Sequence, residues 1–223
     1  MLTAPRALVF DWDNTLVDSW VCIQEAYNMT FRHFGMPEWD MEETQARVAA
    51  SMRDSFPQMF GERWEEARDV FSAAFESIHL SHLAPLPGAA AMLERLHAAG
   101  VYLAVVSNKR GGFLRTEADR LGWTRLFGSL VGANDAHADK PAPAPVHMAL
   151  QGSGIDAGEQ VWFVGDSPID MHCALNSGCL PVLMRPHPPR PGEFDAYPPV
   201  RHLSGCGELA ALVLELSVPI SPI

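Results

Sequence analysis

Four short polar clusters hold the side chains of this sequence that could do chemistry. They are Asp11-Trp12-Asp13-Asn14-Thr15, Ser107-Asn108-Lys109, Asp139-Lys140-Pro141 and Gly165-Asp166-Ser167-Pro168-Ile169-Asp170. If the clusters meet, their aspartates repel one another and raise one another's pKa values. A divalent cation removes that conflict, and ligation by a few oxygens beside a substrate phosphate is typical of Mg²⁺. The sequence therefore predicts a magnesium site formed by Asp11, Asp13, Asp166 and Asp170.

The lysines of the chain point to the same place. Of the 16 basic residues only Lys109 and Lys140 are lysines, and both lie in these clusters. Compact ammonium charges are suited to balancing a phosphate dianion, so we expect both lysines at a phosphate site. Ser107 and the backbone N–H groups near it would donate to phosphate oxygens. The alternative is an arginine-rich composition that places both lysines there by chance.

The first cluster predicts a division of labour between its two aspartates. If Asp11 continues a strand, its carboxylate can attack phosphorus as a nucleophile and form an acyl phosphate. Asp13 would reach the same side, where it can protonate the leaving oxygen and later take a proton from water. An acyl phosphate is a mixed anhydride, so water can complete the reaction. Phosphoryl transfer asks mainly for such positioning and for charge neutralisation.

The elements that must position these clusters are strands. Compact apolar runs at 6–10, 101–106, 130–131 and 161–164 predict buried strands, each ahead of one cluster. Helical patterns separate these runs, which indicates parallel pairing and a doubly wound α/β sheet. Ligands bind outside the carboxyl ends of the strands in such a sheet. All four clusters are therefore expected at one edge of it.

A helical stretch interrupts the strands after the first cluster. Apolar residues recur at helical spacing from Leu16 to Phe34, Asp40 and Glu43 form a capping-box pattern, and a third helix is predicted from about Glu62. We therefore expect residues 16–84 to be all helical, with a core domain made of residues 1–15 and 85–223. The proline-dense segment 185–199 is expected to be an irregular surface connection.

Composition excludes several classes of protein. With 48% hydrophobic and 19% charged residues the chain is globular, and its net charge of −11 disfavours binding to nucleic acid. Its apolar runs are far shorter than the roughly 20 residues of a membrane span, and the N-terminus does not resemble a signal peptide. Scattered cysteines are interpreted as reduced thiols, so we expect a cytoplasmic protein. His79 and His82 could hold a metal on one helix face, but no metal-binding motif accompanies them, and they are interpreted as buried or solvated histidines.

Taken in order, the four clusters resemble the four motifs of the haloacid dehalogenase (HAD) superfamily, and they are most similar to those of its phosphoglycolate-phosphatase-like phosphatases. The resemblance extends from about residue 6 to residue 184. It implies a Rossmann-like α/β core with an inserted helical cap, residues 16–84, that closes over the site and excludes water. Asn14 stands where the family usually has glycine, and asparagine tolerates a left-handed backbone better than most residues.

The resemblance implies a role for each acidic residue. Asp11 would be the nucleophile and would also bind Mg²⁺. Asp13 would be the general acid and base, and its backbone carbonyl would bind the metal. Asp166 would be the third protein ligand, with Asp170 behind it.

The resemblance also implies how phosphate is held. Ser107 and Asn108 would bind the transferring phosphate, Lys140 would offset its charge, and Thr15 would brace the loop after the nucleophile. Arg53 lies in a cap stretch where relatives place substrate-reading residues, so it could pair with a carboxylate or second phosphate of the substrate. A solvated surface arginine is the alternative.

These expectations describe a Mg²⁺-dependent phosphatase that hydrolyses a small phosphorylated metabolite through an aspartyl phosphate, with no nucleic-acid or membrane partner. Relatives that cleave carbon–phosphorus bonds use a cap lysine, and residues 16–84 contain none. The haloacid dehalogenases themselves lack the second aspartate, which is present here as Asp13. Two alternatives stay open, a sugar phosphomutase that uses the same aspartates and a non-catalytic phosphate-binding module. The sequence sets neither the substrate nor the oligomeric state.

Overall fold

The structure is a computed structural model that describes residues 2–48 and 50–217. Met1, Ala49 and residues 218–223 belong to the predicted domains but lie outside the described residues. The strands are β1 (Ala7–Phe10), β2 (Val17–Asp18), β3 (Ala84–Pro85), β4 (Tyr102–Arg110), β5 (Ser129–Ala133), β6 (Val161–Gly165), β7 (Leu180–Met184) and β8 (Arg201–Leu203). The α-helices are α1 (Trp20–Phe34), α2 (Met41–Arg47), α3 (Met52–Phe60), α4 (Trp64–His82), α5 (Ala89–Ala98), α6 (Gly111–Arg120), α7 (Ala144–Leu150), α8 (Pro168–Asn176) and α9 (Cys206–Leu216).

Six parallel strands form the central sheet, in the order β5-β4-β1-β6-β7-β8. All four residues of β1 are buried, because successive side chains enter opposite cores. Leu8 and Phe10 pack into one apolar cluster, and Ala7 and Val9 pack into the other. A parallel sheet needs both faces covered in this way, so the predicted doubly wound α/β fold is confirmed.

The strand order reverses beside β1. The chain leaves β1 for β4 on one side, and later returns to β6 on the other side. Phe10 ends β1 level with Val105 and Val164 of these neighbours. This is a topological switch point, where the crevice outside the carboxyl ends of the strands is open to a ligand. Asp11 follows Phe10 directly and therefore begins in that crevice.

The prediction that residues 16–84 are all helical is wrong at both ends. β2 and β3 pair antiparallel as a two-stranded ribbon, and α1 begins at Trp20 rather than Leu16. Leu16 fitted the helical spacing, but it is buried together with Val17 in the core cluster of the sheet. The apolar pattern is the same whether such residues continue a helix or enter the core of the sheet. The domain boundaries themselves stay a prediction.

The helical cap of α1–α4 has its own aromatic core. Tyr27 packs on Trp39 and Phe71 with ring centroids 5.3 and 4.9 Å apart, and Phe31 packs on Trp39 at 4.6 Å. The predicted capping box is confirmed at the start of α2, where Glu43 N donates to Asp40 Oδ1 at 2.8 Å. Helix α3 was not predicted, and the helix expected from residue 62 begins at Trp64 as α4.

Two further elements, a strand and a helix, follow β7. The proline-dense segment 185–199 is irregular, as predicted, and leads to β8 and α9, which the sequence analysis missed. Phe194 is buried against Met171 and Leu183, so the segment is packed onto the core. Across the described ranges, no helix combines the length and apolar character needed to cross a lipid bilayer.

Candidate active site

A tight turn after β1 presents the first cluster. Asp11 N donates to Val164 O at 2.9 Å, which continues the pairing of β1 with β6 by one residue. Trp12 O then accepts from Leu16 N at 2.9 Å and closes the turn. Asn14 sits inside it with φ of 61°, the left-handed region that asparagine tolerates. The expectation for Asn14 in place of glycine is therefore met by the backbone.

Lys140 joins the third cluster to the first and the fourth. Its Nζ lies 2.7 Å from Asp11 Oδ1 and 2.8 Å from Asp170 Oδ1. All three side chains are buried, so these are desolvated charge pairs. Burial, together with the charges of Asp170 and Asp13, raises the pKa of Asp11 to about 7 against the opposing effect of Lys140. Burial lowers the pKa of Lys140, but the charges of Asp11 and Asp170 outweigh that effect and raise it, so its ammonium stays charged.

The fourth cluster places two carboxylates on opposite sides of a turn. Asp166 follows β6, and its Oδ1 accepts from Thr15 Oγ1 at 3.3 Å. Asp170 lies in the first turn of α8, where its Oδ2 accepts from Ser167 Oγ at 2.6 Å and from Ser167 N at 3.1 Å. Burial and the charges of Asp170 and Asp11 raise the pKa of Asp166 well above its usual range.

The arrangement fits a hard divalent cation. Carboxylate oxygens of Asp11, Asp166 and Asp170 lie within 4.8 Å of one another. Oxygen ligands of this kind are those that Mg²⁺ prefers. Asp170 has both oxygens hydrogen-bonded to protein donors, so Asp11 and Asp166 are the stronger candidates for direct ligation. Burial and the neighbouring carboxylates raise the pKa of both carboxyls, and a bound cation would favour their ionised forms.

Asp13 lies beside this group and has different neighbours. Its Oδ1 is 2.6 Å from Lys109 Nζ and also accepts from Ser19 Oγ. Lys109 is buried and contacts a second carboxylate, Glu117 Oε2, at 2.6 Å. The observed partners of Lys109 are therefore two carboxylates. Its predicted contact with phosphate stays a prediction.

The second cluster lies within β4 rather than after it. The strand runs to Arg110, with a register shift between Val106 and Arg110. Asn108 Oδ1 accepts from Lys140 N at 3.0 Å, and Asn108 Nδ2 donates to Lys140 O at 3.2 Å. Ser107 is buried, and its Oγ accepts from Lys109 N at 3.2 Å. Asn108 thus fixes the backbone that carries Lys140.

Arg53 reaches from α3 of the cap to the loop ahead of Lys140. Its Nε donates to Asn134 Oδ1 at 3.0 Å and lies 3.4 Å from Asp139 Oδ2, and its Nη1 donates to His137 O at 3.1 Å. It also lines a cavity of about 360 Å³ between cap and core, together with Arg68, Arg110 and five other residues. The structure therefore brings Arg53 to the cap–core junction, and substrate binding by it stays a prediction.

With this geometry established, comparison with known proteins identifies the family. The family model of the haloacid dehalogenase-like hydrolases matches residues 8–183, which is more than half of the chain. The chain belongs to this family. The match includes all four clusters, so the resemblance read from the sequence is confirmed.

Similar proteins refine the family assignment. The phosphoglycolate phosphatase of Rhodospirillum rubrum is 31% identical over 192 residues, which cover 81% of this chain and 79% of the relative. That of Vibrio cholerae is 30% identical over 189 residues, 78% of this chain and 81% of the relative. A haloacid dehalogenase-like hydrolase from Streptococcus pneumoniae shares the fold with a TM-score of 0.80 at 23% identity, over 95% of this chain and 98% of that one. The chain is thus a phosphatase, a phosphoric monoester hydrolase, of the haloacid dehalogenase-like family.

Sequence reasoning missed two groups of residues at this phosphatase site. Arg185 donates from Nη1 to Asp166 O at 3.2 Å, and Glu193 holds it through Nη1 and Nη2 at 2.8 and 2.6 Å. Glu117 contacts Lys109 and belongs to a buried network that also includes His79. No motif marks either group, because long-range packing brings them together. The one available signal is that Glu117 shares a face of α6 with the apolar residues Leu114 and Ala118.

A first prediction concerns metal and pH. The pKa of Asp11 is raised from 3.8 to about 7, so the metal-free fold binds its proton more tightly than the unfolded chain does. The contribution of Asp11 to the free energy of unfolding is therefore greatest below about pH 4, and it declines as the pH rises to about 7. A cation offsets the ionised cluster, so Mg²⁺ should raise the Tm more at pH 8 than at pH 5. Thermal unfolding with MgCl₂ or EDTA at both pH values measures this difference.

Asp166→Asn provides the control for that measurement. It removes one carboxylate of the cluster, so the Mg²⁺-dependent rise in Tm at pH 8 should shrink strongly. An equal effect of Mg²⁺ at both pH values, unchanged in Asp166→Asn, would contradict a cation site at these carboxylates.

A second prediction concerns Gly165, which lets the Asp170 carboxyl approach the end of β6. A Cβ at this position would overlap the Asp170 side chain, whereas a Cβ on Gly158 meets nothing within 4 Å. Gly165→Ala should displace Asp170 and with it Lys140. Displacement by roughly 1 Å costs about 10²-fold in rate. We expect that loss of kcat in Gly165→Ala and an unchanged kcat in the control Gly158→Ala; equal activities would show that this close approach is dispensable.

Proposed function

We propose that this phosphatase is Mg²⁺-dependent and hydrolyses a small phosphomonoester through a phosphoryl group carried on Asp11. The observation that supports this most is the placement of Asp11. Its carboxylate starts at the switch point of the sheet and lies 2.7 Å from the Lys140 ammonium. The relatives from Rhodospirillum rubrum and Vibrio cholerae are phosphoglycolate phosphatases, which agrees with a small phosphorylated substrate.

Asp11 and Asp166 are the side chains we propose to hold the metal, with the backbone carbonyl of Asp13 as a further ligand and Asp170 behind them. Bound there, Mg²⁺ would neutralise the clustered carboxylates and a substrate phosphate, and would orient that phosphate. Asp170 keeps Lys140 in place through the 2.8 Å contact.

Asp11 then acts as the nucleophile. Lys140 favours the ionised form of Asp11 and offsets the charge of the incoming phosphate. A carboxylate oxygen of Asp11 forms the new bond to phosphorus as the bond from phosphorus to the leaving oxygen breaks. Asp13 gives its proton to that oxygen, and the product alcohol departs.

The second half of the reaction returns the site to its starting state. Asp13, now ionised, takes a proton from a water molecule, and the water oxygen attacks phosphorus. The bond between phosphorus and Asp11 breaks, which regenerates the carboxylate and releases inorganic phosphate. Ser107 and Asn108, with Lys140, are proposed to hold the phosphate throughout, and Thr15 braces Asp166 through their 3.3 Å hydrogen bond.

The arginines that line the cavity between cap and core favour a substrate with a second acidic group. Three of the eight residues that line it are arginines, Arg53, Arg68 and Arg110, against one acidic residue, Asp69. Its volume of about 360 Å³ suits a small metabolite. We propose that Arg53 pairs with a carboxylate or second phosphate of the substrate from this side.

Asp11→Asn and Asp13→Asn test the mechanism. Each should lower kcat for p-nitrophenyl phosphate with Mg²⁺ by about 10³-fold or more, since nucleophile and general acid–base functions are lost. Circular dichroism should show that the fold persists. The exposed Asp156, changed to Asn, is a matched control that should keep wild-type activity. An active Asp11→Asn protein would refute the covalent mechanism.

The phosphomutase alternative needs a separate measurement with the same wild-type protein. A hexose phosphate is supplied with Mg²⁺, and free phosphate and isomerised sugar phosphate are both quantified. A phosphatase releases phosphate, whereas a mutase produces the isomer. A panel of phosphorylated metabolites, with and without a carboxylate, then narrows the substrate class.

A further inference from the structure

Next to Asp13 lies a buried polar network centred on Glu117 of α6. Glu117 Oε2 accepts from Lys109 Nζ at 2.6 Å and from Trp12 Nε1 at 2.7 Å. Its Oε1 lies 2.8 Å from His79 Nδ1. Glu117 is 1% exposed, and its three partners are buried as well. A carboxylate is rarely retained at such depth without paired charge, and here the paired charge is Lys109.

Lys109 connects this network to the proposed acid and base. Its Nζ lies 2.6 Å from Asp13 Oδ1, the same distance as from Glu117 Oε2. A lysine side chain has four rotatable bonds, so one charged contact does not fix its ammonium. Two carboxylate contacts restrict it far more than one, and the indole N–H of Trp12, the residue before Asp13, anchors Glu117 to the same turn.

His79 brings the cap into the same network. It belongs to α4, and its ring stacks on Phe75 and packs on Phe113 of α6 with centroids 5.2 and 5.1 Å apart. The contact of His79 with Glu117 is thus a polar link from cap to core, buried among aromatic rings. The Glu117 carboxylate thus contacts both α4 of the cap, through His79, and Lys109.

We propose that Glu117 is a positioning residue for Asp13. It holds the Lys109 ammonium against Asp13 Oδ1. Because His79 of the cap contacts Glu117, the position of the cap helix α4 affects this arrangement. The inference rests on the proposed function, because it takes Asp13 to be the group that protonates the leaving oxygen. A solely structural role, in which Glu117 only balances the buried charge of Lys109, is the competing explanation.

The two explanations differ in how they depend on the leaving group. As the bond from phosphorus to the ester oxygen breaks, an alkyl ester leaves as an alkoxide that needs the proton of Asp13. A p-nitrophenyl ester leaves as a stable phenolate that needs it far less. kcat/KM covers only the steps up to departure of the leaving group. A misplaced Asp13 therefore lowers kcat/KM selectively for the alkyl ester.

The experiment compares Glu117→Gln with wild type on phosphoglycolate, an alkyl phosphate, and on p-nitrophenyl phosphate. We expect kcat/KM to fall by about tenfold or more for the alkyl ester and by less than about threefold for the aryl ester, part of the 10²–10⁴-fold that a general acid contributes. Glu117→Asp keeps the charge and should recover part of the loss. His79→Phe keeps the aromatic packing and should shift the ratio in the same direction. Asp119→Asn, exposed on the same helix, is the matched control.

Equal losses on both esters, or a lower Tm with unchanged kinetics, would overturn the proposal and leave Glu117 a structural residue. If Glu117→Gln does not fold, Glu117→Asp and His79→Phe decide by the same ratio. Asp13→Asn separates this result from the proposed function. If Asp13→Asn is inactive and Glu117→Gln shows no selective loss, only this inference fails. If Asp13→Asn is as active as wild type, the proposed function itself fails.

Discussion

The Lys140 ammonium lies between two buried carboxylates, 2.7 Å from Asp11 and 2.8 Å from Asp170, and the rest of the site depends on this contact. Without it, the aspartates at the end of the sheet would lose the ammonium that pairs with two of them, and burial would force them to take up protons. One lysine does not neutralise three carboxylates. The remaining negative charge is what makes the site suited to a divalent cation, and the cation and the phosphate of a substrate complete the charge balance.

The fold supplies this contact by bringing distant parts of the chain to one edge. Asp11 and Asp166 follow neighbouring strands, β1 and β6, so their separation is set by the spacing of the sheet. Lys140 comes from the loop after β5, which lies two strands from β1 on the side opposite β6, and Asn108 fixes its backbone with two hydrogen bonds. Gly165 removes the side chain that would keep Asp170 at a distance. Two cap residues contact the core near the site: Arg53 binds the loop ahead of Lys140 through His137 O, and His79 contacts Glu117 of α6.

The sheet and the meeting of the clusters could be predicted, because buried parallel strands are continuous apolar runs and their carboxyl ends share one edge. The β2–β3 ribbon could not, since Leu16 and Val17 have the same apolar character whether they continue a helix or enter the core. The contact of Lys109 with Glu117 could not be predicted either. Composition and position indicated that this lysine lies at the site. Its partner Glu117 is eight residues away in the sequence, and only the packing of α6 brings the Glu117 carboxylate to Lys109. Arg185, outside every motif, supports Asp166 for the same reason.

The covalent role of Asp11 can be tested directly by stopping the wild-type phosphatase with acid within its first turnover of p-nitrophenyl phosphate and Mg²⁺. Peptides are then analysed by mass spectrometry, with fragmentation that separates Asp11 from Asp13. The account predicts a phosphoryl group on Asp11, which accumulates and then disappears as inorganic phosphate is released. Steady turnover with no phosphoryl group on Asp11 at any quench time, or with the group on another residue, would contradict it.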